Sequence, residues 1–167
     1  MPKFAPLAAA GLAASFAFAA AASAETVLRY TEPSVNRGER AAAMNWFAAD
    51  VAKRTSGALK INFFWGGSLM DARSSLKGVG DRAAEMGSIV GSYTAREMLP
   101  YNVGDLPVGS SDVWVGLRAM YDLATTSPDL KKAFDAANVV YLSNFTTTEV
   151  QLICKNKVLS KVDDFKG

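Results

Sequence analysis

Apolar and polar residues alternate over Leu59 to Phe64, where Leu59, Ile61 and Phe63 interleave with Lys60 and Asn62. That period belongs to a strand with one buried face. Thr26 to Thr31 reads as an earlier strand, with Glu32 to Gly38 as its loop. Pro33 in that loop rules out a direct helical continuation. Between the strands, Met44, Phe47, Ala48 and Val51 recur at helical spacing, predicting a helix from about Glu39 to Arg54 with that apolar face. Thr55-Ser56-Gly57 stops it. Gly66-Gly67 breaks the second strand, and a helix follows from about Asp71 to Asp81 with Leu76 and Val79 inward. Glu85 to Val90 is a short strand that enters the polar loop Gly91-Ser92-Tyr93-Thr94. The order β-α-β-α-β with short connections predicts an α/β fold, a mainly parallel sheet flanked by helices on both faces.

Leu99 to Pro107 is irregular. Ser111-Asp112 caps a helix in which Trp114, Leu117, Tyr121 and Ala124 form a core stripe rather than a binding box. Ser127-Pro128-Asp129 opens another, with Pro128 in the favoured first turn, Leu130, Phe134 and Ala137 inward, and Asn138 at its end. Val139 to Phe145 reads as an apolar strand. After Thr146-Thr147-Thr148, Glu149 to Lys155 alternates, with Val150, Leu152 and Cys154 on one face. Val162 to Gly167 reads as a short helical turn. No internal repeat or low-complexity linker interrupts this order.

Composition changes the picture at the N-terminus first. Lys3 precedes an almost unbroken Ala, Leu and Phe run from Phe4 to Ala22, and Ala22-Ser23-Ala24 fits the small-x-small site of a signal peptidase. Residues 1–24 are therefore expected to be a signal peptide, cleaved after Ala24, leaving no stable membrane anchor. The alternative is an uncleaved anchor, although a run built mostly of Ala partitions weakly into lipid. Lys and Arg total 18 against 16 Asp and Glu, so no charge imbalance points to nucleic acid or an acidic membrane. Cys154 is the single cysteine, so no intrachain disulfide forms. The chain contains no His, which removes Ser-His-Asp and Cys-His catalysis and the commonest zinc ligand. No metal or cofactor is expected.

Ligands of parallel α/β sheets bind at the carboxyl ends of the strands. Three loops should meet there: Glu32 to Gly38, Trp65 to Ser68 and Gly91 to Thr94. Asn36, Trp65, Arg73, Ser92 and Tyr93 are binding candidates by that position. Trp65 either walls a pocket or covers the core. Arg73 either reaches a carboxylate or sits in solvent. Gly66-Gly67-Ser68 is a tight turn or an anion cradle, but no GxGxxG or GxxxxGK[ST] pattern supports a nucleotide. Thr148 and Gln151 are candidates from the polar stretch beside the apolar strand, whose groups need partners.

Phe47 to Ile61 running into Gly66-Gly67-Ser68-Leu69, then Gly104-Asp105-Leu106-Pro107, then Asp163-Asp164-Phe165-Lys166-Gly167, resembles the TRAP-type (tripartite ATP-independent periplasmic) solute-binding proteins, the dicarboxylate-receptor family. The similarity covers essentially all of the chain after the leader. It implies a type II periplasmic-binding-protein-like fold whose second domain is largely missing here. Residues 25–145 would form the first α/β domain, and 146–167 a crossing strand and hinge segment. The implied function is a periplasmic receptor for a small organic acid, delivered unchanged to TRAP membrane subunits driven by an ion gradient. The family's main carboxylate-binding Arg would lie just after Lys166-Gly167. A second Arg, frequent on the preceding strand, falls near Val150, and this departure sets the chain apart from typical C4-dicarboxylate or sialic acid receptors. The rival readings are a receptor of an ATP-driven importer, an extracytoplasmic sensor domain, or an exported enzyme.

Overall fold

The computed structural model describes residues 25–106, 112–145, 154–155 and 158–165. β1 (Thr26–Thr31) and β2 (Leu59–Phe64) pair in parallel over their full length, joined by α1 (Gly38–Arg54). α2 (Ser75–Gly80) leads to β3 (Met86–Gly87), which pairs in parallel with the other side of β1. The sheet order is β2-β1-β3, with β1 central. α3 (Val113–Thr126) and α4 (Pro128–Ala136) follow.

Local chemistry explains the boundaries. Acidic Glu39 in the first turn of α1 and basic Lys53 and Arg54 in the last suit the helix dipole. Ser56 and Gly57 take left-handed backbone and end the helix. Asp112 caps α3 by accepting from the N–H groups of Trp114 and Val115, and Ser127 caps α4 ahead of Pro128. Left-handed Asn138 closes α4, and its side chain donates to the Gly80 carbonyl at 2.6 Å, binding α2 to the α4 corner.

The core joins Leu76, Met98, Ala124, Leu130 and Phe134. Full burial of a Leu or Phe side chain stabilises by about 1.5–3 kcal/mol. An aromatic group extends this core: Tyr141 stacks on Phe134 with centroids 5.6 Å apart and meets Tyr121 at 6.0 Å. Burial pushes the Tyr141 hydroxyl well above the usual phenol range; the hydroxyl donates to Asn144 Oδ1 at 2.6 Å.

Several expected elements differ. The helix expected at Asp71 to Asp81 is confined to α2, because the Asp71 carboxylate accepts from the N–H groups of Arg73 and Ser74 and shapes a turn first. The strand expected at Glu85 to Val90 pairs only at Met86–Gly87, and the irregular stretch contains a 3-10 run, Leu99–Asp105. Val139 to Phe145 is not a strand. Val139 and Tyr141 point inward while Val140 and Leu142 face solvent, so the alternation reports burial against the aromatic group and not a ladder. Phe47 is half-exposed, because α1 turns Ala41, Met44, Ala48 and Val51 inward. Trp114 is 70% exposed and Tyr121 is exposed as well. The inner face of α3 runs instead through Leu117, Met120 and Ala124, and Trp114 lies in the first turn, outside that face. The alternating stretch after Thr146 and the cap residue Ser111 lie outside the described residues.

Arg29 on β1 grips Glu85 just before β3, with Nη2 2.7 Å from Oε1 and Nε 3.0 Å from Oε2. These side-chain bonds, helped by the Arg29 backbone N–H, hold the Glu85 carboxyl at about 2, against an ordinary 4.5. A depressed carboxyl stabilises the fold above the ordinary value and loses that contribution as pH falls through the folded one. Glu85 should therefore titrate at about 2 by NMR, and Arg29→Met, which removes the side-chain bonds and keeps the backbone one, should raise it toward the ordinary range. A second prediction concerns close approach: a Cβ on Gly80 would lie 2.3 Å from the Ala137 carbonyl oxygen. Gly80→Ala should cost about 2 kcal/mol in urea unfolding despite alanine's better helix propensity.

Candidate functional site

From β1 the chain crosses first to one side of the sheet and then, after β2, to the other. The carboxyl ends of β1 and β3 therefore flank the point where the connections diverge, the place where open α/β sheets bind ligands. Two side chains stand there, one residue beyond each strand: Glu32 after β1 and Ser88 after β3.

The Glu32 side chain is completely buried. Its Oε2 accepts from Arg40 Nη2 at 2.9 Å and from Ser88 Oγ at 2.5 Å, and its Oε1 accepts from the Ser34 N–H at 2.8 Å. Arg40, in the first turns of α1, also donates through Nη1 to Ser34 Oγ at 2.6 Å and through Nη2 to Ser88 Oγ at 3.1 Å. Ser88 has one proton and gives it to the carboxylate, so the Tyr30 hydroxyl, 2.9 Å away, donates to Ser88. Burial pushes the Tyr30 hydroxyl above its ordinary range, against the opposing pull of its hydrogen bond to Ser88. The Phe145 ring covers the Arg40 guanidinium at 3.9 Å.

Backbone bonds tie the neighbouring loops to this centre. Gly66 and Gly67 have φ of 64° and 71°, a left-handed turn that favours glycine. Their N–H groups reach the carbonyls of Ser34 at 2.8 Å and Glu32 at 3.0 Å. The Gly-Gly turn is thus a structural staple, and those two donors are not open to an anion. The Ser88 N–H donates to the Thr31 carbonyl at 3.0 Å.

The described sequence candidates make contacts of their own. Trp65 is half-buried; its ring packs on Phe63 at 5.0 Å, and Phe63 meets Tyr30 at the same distance. Arg73 and Tyr93 come together across the second and third loops, the guanidinium 5.4 Å from the ring centroid. Ser92 is exposed, and its N–H donates to Asp105 Oδ2 at 2.7 Å. Asn36 is exposed and accepts from Asn45 Nδ2 at 3.1 Å, which holds it to α1 rather than to the buried network. Thr148 and Gln151 lie outside the described residues. Among the described residues no cluster of acidic side chains and cysteine suits a metal ion, and no helix is long and apolar enough to cross a membrane.

Sequence reasoning passed over Glu32, Arg40, Ser88 and Phe145. The available signal was positional: Glu32 and Ser88 directly follow the ends of β1 and β3, and Arg40 is the base that α1 brings back to Glu32. The arrangement offers hydrogen bonds and aromatic faces around a charge-compensated centre.

That compensation can be measured. Arg40→Ala leaves the Glu32 carboxylate buried without its counter-charge and should cost about 3 kcal/mol in urea unfolding. The paired change Glu32→Leu with Arg40→Met, which removes both charges, should recover most of that loss.

The family model for bacterial extracellular solute-binding protein, family 7, matches residues 32–167. No curated protein matches the chain in sequence. A solved TRAP periplasmic solute-binding protein from Desulfovibrio salexigens is 26% identical, with a TM-score of 0.58 over 65% of this chain and 34% of that one. DctP7 of Bordetella pertussis, an extracytoplasmic solute receptor binding pyroglutamic acid, is 20% identical, with a TM-score of 0.55 over 67% and 36%. A TRAP periplasmic solute-binding protein from Sulfitobacter, with bound β-D-galacturonate, is 21% identical, with a TM-score of 0.53 over 67% and 37%. The last two likenesses are of fold alone. The part matched in each of these structures is between 34% and 37% of its length. With a family match that runs over most of its length, the chain belongs to family 7 of the bacterial extracellular solute-binding proteins, the family of the TRAP-type receptors.

Proposed function

We propose that this protein is a periplasmic receptor that captures a small organic acid and delivers it, chemically unchanged, to an ion-gradient-driven TRAP permease. In this reading residues 1–24 are removed on export, residues 25–145 form one lobe of the receptor, and 146–167 begin the crossing to a second. The observation that carries the reading is the cross-tying of the exits of β1, β2 and β3 at the carboxyl edge of the sheet, around the Glu32–Arg40 pair. That edge carries Asn36, Trp65, Arg73, Ser92 and Tyr93, and Thr148 and Gln151 would join them from the crossing segment.

The two charged centres play different parts. Arg40 is committed to Glu32. The Arg73 guanidinium lies over the Tyr93 ring, 5.4 Å from its centroid, a cation–π contact that leaves its N–H groups for a ligand. Among the described residues its guanidinium donates to no side chain. An arginine so placed is suited to a bidentate grip on a carboxylate. The acids named for the Bordetella and Sulfitobacter proteins are carboxylates, and they support this ligand class.

A thermal-shift screen of the full-length protein against organic acids should find a ligand that raises Tm by mass action. Arg73→Ala should weaken that ligand by about thirtyfold, the equivalent of about 2 kcal/mol for hydrogen bonds to a charged group. Uptake in membrane vesicles should follow an ion gradient without ATP. Turnover of the ligand, or uptake that demands ATP, would overturn the reading.

A further inference from the structure

The segment from Val139 to Phe145 is fastened at two places. At its start the Val139 N–H donates to the Phe134 carbonyl at 3.0 Å, and Tyr141 stacks on the Phe134 ring. The Tyr141 hydroxyl donates to Asn144 Oδ1 at 2.6 Å, and Asn144 Nδ2 donates to the Leu117 carbonyl at 3.2 Å. The segment is thereby pinned to α3 one residue before Phe145. At its end Arg40 Cζ lies 3.9 Å from the centroid of the Phe145 ring. Phe145 is 52% exposed, so burial in the core does not account for its position. Its partner is the cation that holds Glu32, Ser34 and Ser88 together.

We infer that Val139 to Phe145 is a strap whose last ring locks the Glu32–Arg40 network, so that the position of residue 145 and the order of the carboxyl edge are coupled. The Arg40 side chain is only 28% exposed, and a cation–π contact gains strength as the cation is withdrawn from water. Without the ring, water reaches one face of the guanidinium and competes for its bonds to Ser34, Glu32 and Ser88. Those bonds join the exits of β1 and β3 to α1, and the Gly66 and Gly67 N–H groups depend on the Ser34 and Glu32 carbonyls in turn. Displacing Phe145 therefore loosens the edge, and loosening the edge frees Phe145 by the same amount, since such coupling is reciprocal. The coupling needs no ligand and so stands apart from the receptor reading. Under that reading it would tie the binding edge to the start of the crossing segment.

Amide hydrogen exchange on the full-length protein tests the strap, because it reads local opening residue by residue. In Phe145→Ala the amides of Ser34, Gly66, Gly67 and Ser88 should exchange about tenfold faster, the scale of a partly desolvated cation–π contact. The Val139 and Leu130 amides, at the core end, should keep their rates. Phe145→Tyr, which keeps the ring, should retain protection at the edge. Phe145→Leu keeps most of the bulk, which guards against misfolding of the alanine variant, and should quicken the same edge amides. In the paired background Glu32→Leu with Arg40→Met no cation lies under the ring, and there Phe145→Ala should leave the edge rates unchanged. Unchanged edge amides in Phe145→Ala and Phe145→Leu overturn the strap. So does an equal quickening of edge and core, or the same edge effect in the charge-free background.

Discussion

The burial of one carboxylate organises the carboxyl edge of the sheet. Glu32 is fully enclosed, and an enclosed charge costs several kcal/mol unless it is paired and its lone pairs are used. Its partners come from different places in the chain: Ser34 from its own loop, Arg40 from α1, Ser88 from the end of β3. Satisfying one residue therefore fixes the exit of β1, the entry of α1 and the exit of β3 relative to one another. The Gly66-Gly67 turn is drawn to the same loop by its backbone donors, so the exit of β2 joins them.

The rest of the described chain supports this edge from behind. A sheet in which β3 pairs over only two residues offers little ladder on that side. The tie between Arg29 and Glu85 and the packing of Leu76, Met98, Leu130 and Phe134 supply what hydrogen-bonded pairing does not. The stretch from Val139 to Phe145 then runs along this core through Val139 and Tyr141 and ends with Phe145 on Arg40. Core and site are thus joined by one extended segment.

Periodicity made most of the fold legible. The strands at Thr26 to Thr31 and Leu59 to Phe64, the caps at Asp112 and Ser127, and the parallel order came from local signals that tertiary packing did not override. Val139 to Phe145 misled because alternation records which side chains are buried, whereas a strand requires a neighbour with free backbone groups. Trp114 misled because helical spacing gives a face but not its direction. The carboxyl-end loops were legible, since they follow from topology. The network among them was not, because Glu32 and Arg40 look like ordinary loop and helix charges until β3 brings Ser88 beside them. Their meaning is a property of the sheet order, not of their spacing.

The direction of each hydrogen bond at Ser88 follows from the same pair. With Glu32 held as the acceptor beside Arg40, the Ser88 proton points to the carboxylate, and its lone pairs receive Tyr30 and Arg40. Tyr30, with its hydroxyl pushed above its ordinary range by burial, stays protonated as the donor. No rotation of a hydroxyl is left to choose. An edge whose polar side chains are already locked on one another has little freedom left to lose in a further contact. The rigid part of this edge is the buried network, while Arg73 and Tyr93 stand at its exposed rim. On the proposed reading, such a fixed frame stands behind the exposed contacts through which a solute would enter and leave.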